Sequence, residues 1–154
     1  MMDAGLTRRK DNRGDSLLDD AATVAKIRKE LDIDPVTGWL VCVKGPDRGR
    51  DYRIRSEKNF IGRSDRMDIC IRGDETISRE NHAAVSYNFR KNTFKLHPGD
   101  GRGLVFLNEE EVDAPIELAP YDRIEIGNTQ LLFVPFCGEK FQWRSGDSRS
   151  GRVF

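Results

Sequence analysis

The sequence predicts an all-β domain, a sandwich or barrel of short strands behind one short helix. Three observations carry that expectation. Between Gly38 and Phe136, short runs rich in Val, Ile, Phe and Tyr alternate with clusters of Gly, Asp, Asn and Pro. No helical period separates these runs, so a parallel sheet with crossover helices is not indicated. The chain has 154 residues and 37% of them are hydrophobic, which suits one core and not two.

Residues 1–15 are polar, Arg-rich and aperiodic, and are expected to be disordered. A helix is expected over residues 16–31. Leu17, Ala21, Val24 and Leu31 recur near helical spacing with Ile27 beside them. Ser16 followed by Asp19 resembles a capping box. Asp19 and Asp20 stand near the start and Lys26, Arg28 and Lys29 near the end, as the helix dipole favours. Asp34-Pro35 stops it. Residues 1–37 are thus read as an N-terminal extension, 38–137 as the β domain and 138–154 as a largely flexible tail.

Strands are expected at Trp39–Lys44, Asp51–Arg55, Asn59–Ile61, Ile69–Ile71, Ala83–Asn88, Thr93–His97, Val105–Leu107, Ile116–Leu118, Arg123–Ile126 and Gln130–Val134. Arg90-Lys91-Asn92 should turn one hairpin and Gly127-Asn128 another. Glu109-Glu110-Glu111 reads as an exposed turn. In the tail, Phe141 and Trp143 are candidates to close over the sandwich, while Gly, Ser and Arg dominate from Ser145 onward.

Several function classes are disfavoured. Lys plus Arg equals Asp plus Glu at 26 each, so no global field calls for nucleic acid or an anionic membrane as partner. No apolar run approaches the roughly 20 residues of a membrane span, and Met1–Asp15 lacks the apolar segment of a secretory signal. A cytoplasmic location is expected. Cys42, Cys70 and Cys137 are odd in number and sit among apolar neighbours, so buried free thiols are expected rather than a disulfide or zinc site. No metal and no cofactor is expected. Gly99-x-Gly101-x-Gly103 is not followed by a helix or by Gly-Lys-Ser/Thr, which argues against a nucleotide loop. No nucleophile–base or paired-carboxylate arrangement is recognisable, so the chain is not expected to be an enzyme.

Two loop segments carry the chemistry. In Phe60-Ile61-Gly62-Arg63-Ser64-Asp65 a strand ends, Gly62 permits a tight turn, and Arg63 is thrown onto the loop. In Thr76-Ile77-Ser78-Arg79-Glu80-Asn81-His82-Ala83, Ser78 offers a hydroxyl and, with Arg79, backbone N–H groups just before a strand. A guanidinium fork can meet two phosphate oxygens at once. A hydroxyl and neighbouring N–H groups can take the others.

Gly62-Arg63-Ser64, Asp68-Ile69-Cys70-Ile71 and Ser78-Arg79-x-x-His82-Ala83 together resemble the forkhead-associated (FHA) domain. Val105-Phe106-Leu107-Asn108 and Asp122-Arg123-Ile124-x-Ile126-Gly127 are similar to that family's closing half. The resemblance runs from about Gly38 to Phe136. It implies an eleven-stranded β-sandwich of the SMAD/FHA-like type, in a bacterial signalling adaptor that binds a phosphothreonine peptide made by a Ser/Thr kinase. It places Arg63 and Ser78 on the phosphate, with Ser64 and Arg79 at the phosphopeptide, Gly62 and His82 bracing the loops and Asn108 supporting structurally. The alternative for Arg79 is an ion pair with Glu80 or Asp74.

One stretch departs from the family pattern. Where a peptide-clamping Asn is usual, the sequence reads Gly99-Asp100-Gly101-Arg102-Gly103-Leu104. The Asn position falls at Gly103 or nowhere, and Arg102 is the candidate replacement. This leaves a second reading open, an FHA-fold scaffold that has lost phosphate recognition and binds an unmodified protein. By analogy with bacterial members that dock their own phosphorylated N-terminal threonine, Thr23 is a candidate regulatory phosphosite; the alternative is a plain helix residue.

Overall fold

A computed structural model describes residues 21–29 and 33–143. Residues 21–29 are helical (α1). Eleven strands follow: β1 Val36–Lys44, β2 Asp51–Arg55, β3 Glu57–Gly62, β4 Ile69–Cys70, β5 Ala83–Asn88, β6 Thr93–Pro98, β7 Val105–Leu107, β8 Glu110–Glu111, β9 Ile116–Leu118, β10 Arg123–Ile126 and β11 Thr129–Pro135. The Ser16 cap, the expected disorder of residues 1–15 and the tail beyond Trp143 lie outside the described residues.

Period-two alternation builds the two layers. Tyr52 and Ile54, Ile124 and Ile126, and Leu131 and Phe133 are the inward members of β2, β10 and β11. Ile61, Val85 and Leu96 play that part in β3, β5 and β6. One sheet has the order β2-β1-β11-β10-β7-β8 and the other β4-β3-β5-β6-β9. Every pairing is antiparallel except β3 with β4, where Ile61 lies opposite Ile69. The two inner faces meet in a single core.

Three elements differ from the expectation. β1 starts at Val36, three residues before Trp39, because Thr37 and Gly38 continue the ladder without an apolar side chain to announce it. Glu110–Glu111 is not a plain turn but a strand paired with Phe106 and Leu107. Asn108 and Glu109, at φ 50 and 75, make the two-residue turn before it. Both glutamates are exposed, so no alternation marks the strand. Cys70 is half-buried rather than buried, while Cys42 and Cys137 are buried; all three are free.

Buried polar groups are used at the sandwich's corners. Asn59 receives the Arg55 N–H on its carbonyl (2.9 Å) and donates its amide to the carbonyls of Arg55 (3.0 Å) and Val85 (3.1 Å). That closes the tight β2–β3 corner around Glu57, whose φ is 68. At the same end, Phe136, Phe141 and Trp143 pack together and Trp143 donates its indole N–H to the Val36 carbonyl at 2.7 Å. α1 sits at this end too: Val24 is buried, and Arg28 pairs with Asp34 and reaches Ser56.

Candidate functional site

The opposite end of the sandwich gathers the loops 45–50, 63–68, 71–82, 99–104 and 127–128. Arg63 leaves the end of β3 and its backbone N–H bonds the Ser78 carbonyl at 3.1 Å. Its Nε donates to the Ile77 carbonyl at 2.8 Å. That bond fixes the guanidinium plane beside Ser78. The two terminal nitrogens meet no acceptor among the described residues. Ser64 continues the same ladder, its N–H on the Arg79 carbonyl at 2.9 Å.

Gly62 is required by close approach rather than by a special φ. A Cβ there would lie 2.5 Å from the Arg79 carbonyl oxygen. The β3 end and the Ser78 loop are therefore in backbone contact, and no side chain fits between them.

His82 holds the Ser78 loop from beneath. It is 2% exposed. Its Nδ1 accepts the Ser78 N–H at 2.9 Å, so Nε2 carries the ring proton and donates to the Leu104 carbonyl at 2.9 Å. One ring thus ties the loop after β4 to the loop before β7. Gly103 lies flat on this ring: a Cβ would stand 2.5 to 2.9 Å from three ring atoms. No asparagine can occupy this position without displacing the brace. A Cβ on Gly101 would be 3.9 Å from Ser78 Oγ, which puts the glycine loop against the hydroxyl.

Arg79 follows Ser78 in the chain and Arg102 follows Gly101, the glycine that faces the Ser78 hydroxyl; both arginines are exposed, and neither forms an ion pair with another described residue. Glu80 pairs with Arg66 instead, at 2.5 Å, which closes one of the alternatives for Arg79. Asp74 closes the other. It is 3% exposed and accepts four hydrogen bonds, from Thr76 N–H (3.0 Å), Thr76 Oγ1 (2.5 Å), Asn128 N–H (2.9 Å) and Thr129 Oγ1 (2.7 Å). Burial acts to raise its pKa, but these donors outweigh it and hold the carboxyl below the ordinary range. Asp74 is the site residue that the motif reading passed over. It clamps the start of the Ser78 loop to the β10–β11 turn. The local signal was Asp74-x-Thr76, an Asx-turn pattern.

Two other sequence candidates lie away from this cluster. Asn108 is at the far end of β7, bridging Asp122 (3.0 Å) and the Arg123 N–H (3.0 Å). It anchors the strand that follows the glycine loop. Thr23 lies on α1 with its hydroxyl buried and without a hydrogen-bond partner. α1 reaches Ser56 at the start of β3, whereas Arg63 follows the end of β3, a strand length of roughly 20 Å away. A phosphate on Thr23 would have to leave its packed position before meeting Arg63.

Among the described residues, no group of three His, Cys, Asp or Glu side chains is placed to hold a metal, and no helix is long and apolar enough to cross a membrane. The cluster offers fixed donors to an anion and no nucleophile–base pair.

No curated protein matches the sequence. Solved structures of FHA domains do. A structure described as a "structural and functional analysis of phosphothreonine-dependent FHA domain interactions" is 22% identical, with a TM-score of 0.56, covering 65% of this chain and 97% of its own. The FHA domain of CT664 protein from Chlamydia trachomatis is 19% identical, with a TM-score of 0.58, covering 65% and 98%. The N-terminal FHA domain of Rad53p from S. cerevisiae, in complex with a phosphothreonine peptide, is 13% identical, with a TM-score of 0.56, covering 66% and 94%. The sandwich is therefore an FHA fold. A family model described as "inner membrane component of T3SS, cytoplasmic domain" matches residues 42–136, more than half of the chain, and the chain belongs to that family of FHA-type domains.

Proposed function

We propose that the chain is a non-catalytic signalling adaptor that binds a phosphothreonine-containing segment of another protein at the Arg63–Ser78 cluster. One observation carries this reading. Arg63 is anchored through Nε to the Ile77 carbonyl, which leaves its two terminal nitrogens with no acceptor among the described residues, while its backbone is bonded to the loop that carries the Ser78 hydroxyl and Arg79. A phosphothreonine is close to a dianion at neutral pH and presents three acceptor oxygens. A pre-oriented guanidinium answers two of them without loss of rotamer freedom.

The neighbours described as phosphothreonine-dependent or phosphothreonine-bound support the reading. FHA domains are interaction modules rather than enzymes. The ligand is the product of a Ser/Thr kinase, and the family's description as a cytoplasmic domain supports a cytoplasmic location.

The test is a titration by fluorescence anisotropy with a degenerate phosphothreonine peptide library and its unphosphorylated counterpart. Arg63→Ala should abolish phosphopeptide binding and leave the circular dichroism spectrum unchanged. Equal affinity of wild type and Arg63→Ala refutes the assignment. A second reading has one observation in its favour: Gly103 lies on His82, so the usual peptide-clamping side chain is absent. A scaffold that ignores phosphate would bind the phosphorylated and plain peptides of one partner equally.

A further inference from the structure

The phosphate-site loops run directly onto the outer face of the β4-β3-β5-β6-β9 sheet. A dip of ≈ 200 Å³ lies at that junction, lined by Lys58, Phe60, Ala84, Pro98 and Asp100, with Asn81 and Gly99 at its loop end. Cross-strand register explains the dip. Phe60 lies opposite Ala84, and Ala84 opposite His97. Ala84 presents only a methyl group beside the Phe60 ring, and this leaves a hollow. Phe60 is 37% exposed, an aromatic wall open to solvent.

The charges on this face are ordered along the strands. At the end away from the loops stand Lys58 and Lys95, both opposite Ser86, and neither forms an ion pair with another described residue. The Lys58 ammonium lies 5.5 Å from the centre of the Phe60 ring. His97 bonds Ser86 Oγ at 2.8 Å and is held below its ordinary pKa by burial and then by Lys58 and Lys95, so the lysine field reaches across the face. Three carboxylates border it. Asp68 is occupied by the Phe60 N–H at 2.9 Å, Glu117 lies opposite Lys95 on β9, and Asp100 sits at the loop end. A ligand carboxylate is thus disfavoured next to the phosphate site, where Asp100 stands, and favoured farther along, at Lys58.

We infer that this dip receives the continuation of the bound phosphopeptide and selects an acidic residue about five positions from the phosphothreonine, contacted by Lys58 with Lys95 behind it. The spacing follows from β3. Lys58 is five residues from Arg63, and an extended ligand advances about 3.3 Å per residue, as a strand does. This inference rests on the phosphate-site reading above and adds the ligand's second recognition element to it.

The test uses an alanine-based phosphothreonine peptide with glutamate placed singly at each of seven positions on either side. Wild type should bind the parent peptide, and one glutamate four to six positions away should improve affinity about three-fold at low salt, the scale of an exposed ion pair. The gain should fade as salt rises. Lys58→Glu should invert the preference at that position from glutamate to lysine, and Lys58→Ala should level it. A flat scan in wild type, or a preference that Lys58→Glu leaves as it was, overturns this inference alone. Failure of wild type to bind any of the phosphopeptides overturns the phosphate-site reading, and this inference with it.

Discussion

Gly103→Ala adds one methyl group and should be among the most damaging small substitutions in the domain. Its Cβ would stand 2.5 Å from Cε1, 2.6 Å from Nε2 and 2.9 Å from Nδ1 of His82, where ordinary contact begins near 3.4 Å. The ring cannot retreat. It is buried and bonded at both nitrogens, at 2.9 Å to Ser78 N and 2.9 Å to the Leu104 carbonyl. The loop must therefore lift by roughly 1 Å, which stretches the Leu104 bond past the hydrogen-bonding range. Overpacking costs about 1–3 kcal/mol and a lost buried hydrogen bond about 1 kcal/mol, so a loss of about 2–4 kcal/mol is expected. In urea, with a slope of about 1–2 kcal/mol per M, the midpoint should fall by roughly 1–4 M. The decisive comparison is a double-mutant cycle. In a His82→Ala background the clash is gone, and the same methyl should be nearly neutral, giving a coupling of at least about 1.5 kcal/mol. If Gly103→Ala stays within about 0.5 kcal/mol of wild type, or costs the same in both backgrounds, the brace described for His82 is wrong.

Two further substitutions probe the supports of the site and of the opposite end. Asp74→Asn places an amide donor against groups that already donate, and should destabilise by about 2–4 kcal/mol. Because the Asp74 carboxyl is held below its ordinary pKa, its contribution is whole above about pH 4 and is lost as pH falls through the lower folded value. Thermal midpoints of wild type should therefore drop more steeply below about pH 4 than those of Asp74→Asn; parallel curves would refute the clamp. Trp143→Ala removes the indole bond to Val36 and the packing on Phe136 and Phe141. It should lower stability by about 2–3 kcal/mol in urea unfolding, and a change under about 0.5 kcal/mol would show that the segment after β11 is not part of the cooperative unit.

The elements that the sequence announced are those whose signal is local. Arg90-Lys91-Asn92 lies where the β5–β6 hairpin turns, with Asn92 at φ 55. Gly127-Asn128 lies between Ile126 and Thr129, which pair directly. β8 was invisible because two exposed glutamates have no inward member to break the run. Gly62 was legible as necessary, but for the wrong reason. Its flexibility is not what the site uses; the approach of the Arg79 carbonyl is. Arg79 could be paired on paper with either neighbouring carboxylate, since sequence adjacency says nothing of direction. In the fold Glu80 turns to Arg66 and Asp74 turns inward to Thr129.

Taken alone, the sequence determined an all-β sandwich and the approximate places of most strands, and it singled out the two arginine- and serine-bearing loops that the fold joins by backbone hydrogen bonds. Periodicity and turn chemistry act over a few residues, and a chain read once from end to end contains them in full. The tertiary structure decided what those loops become together. It brought Asp74 to Thr129 across 55 positions and His82 to Leu104 across 22, and it laid Gly103 on an imidazole ring. Contacts at such separations depend on which strands pair and on which end their connections fall, and no local pattern encodes that choice.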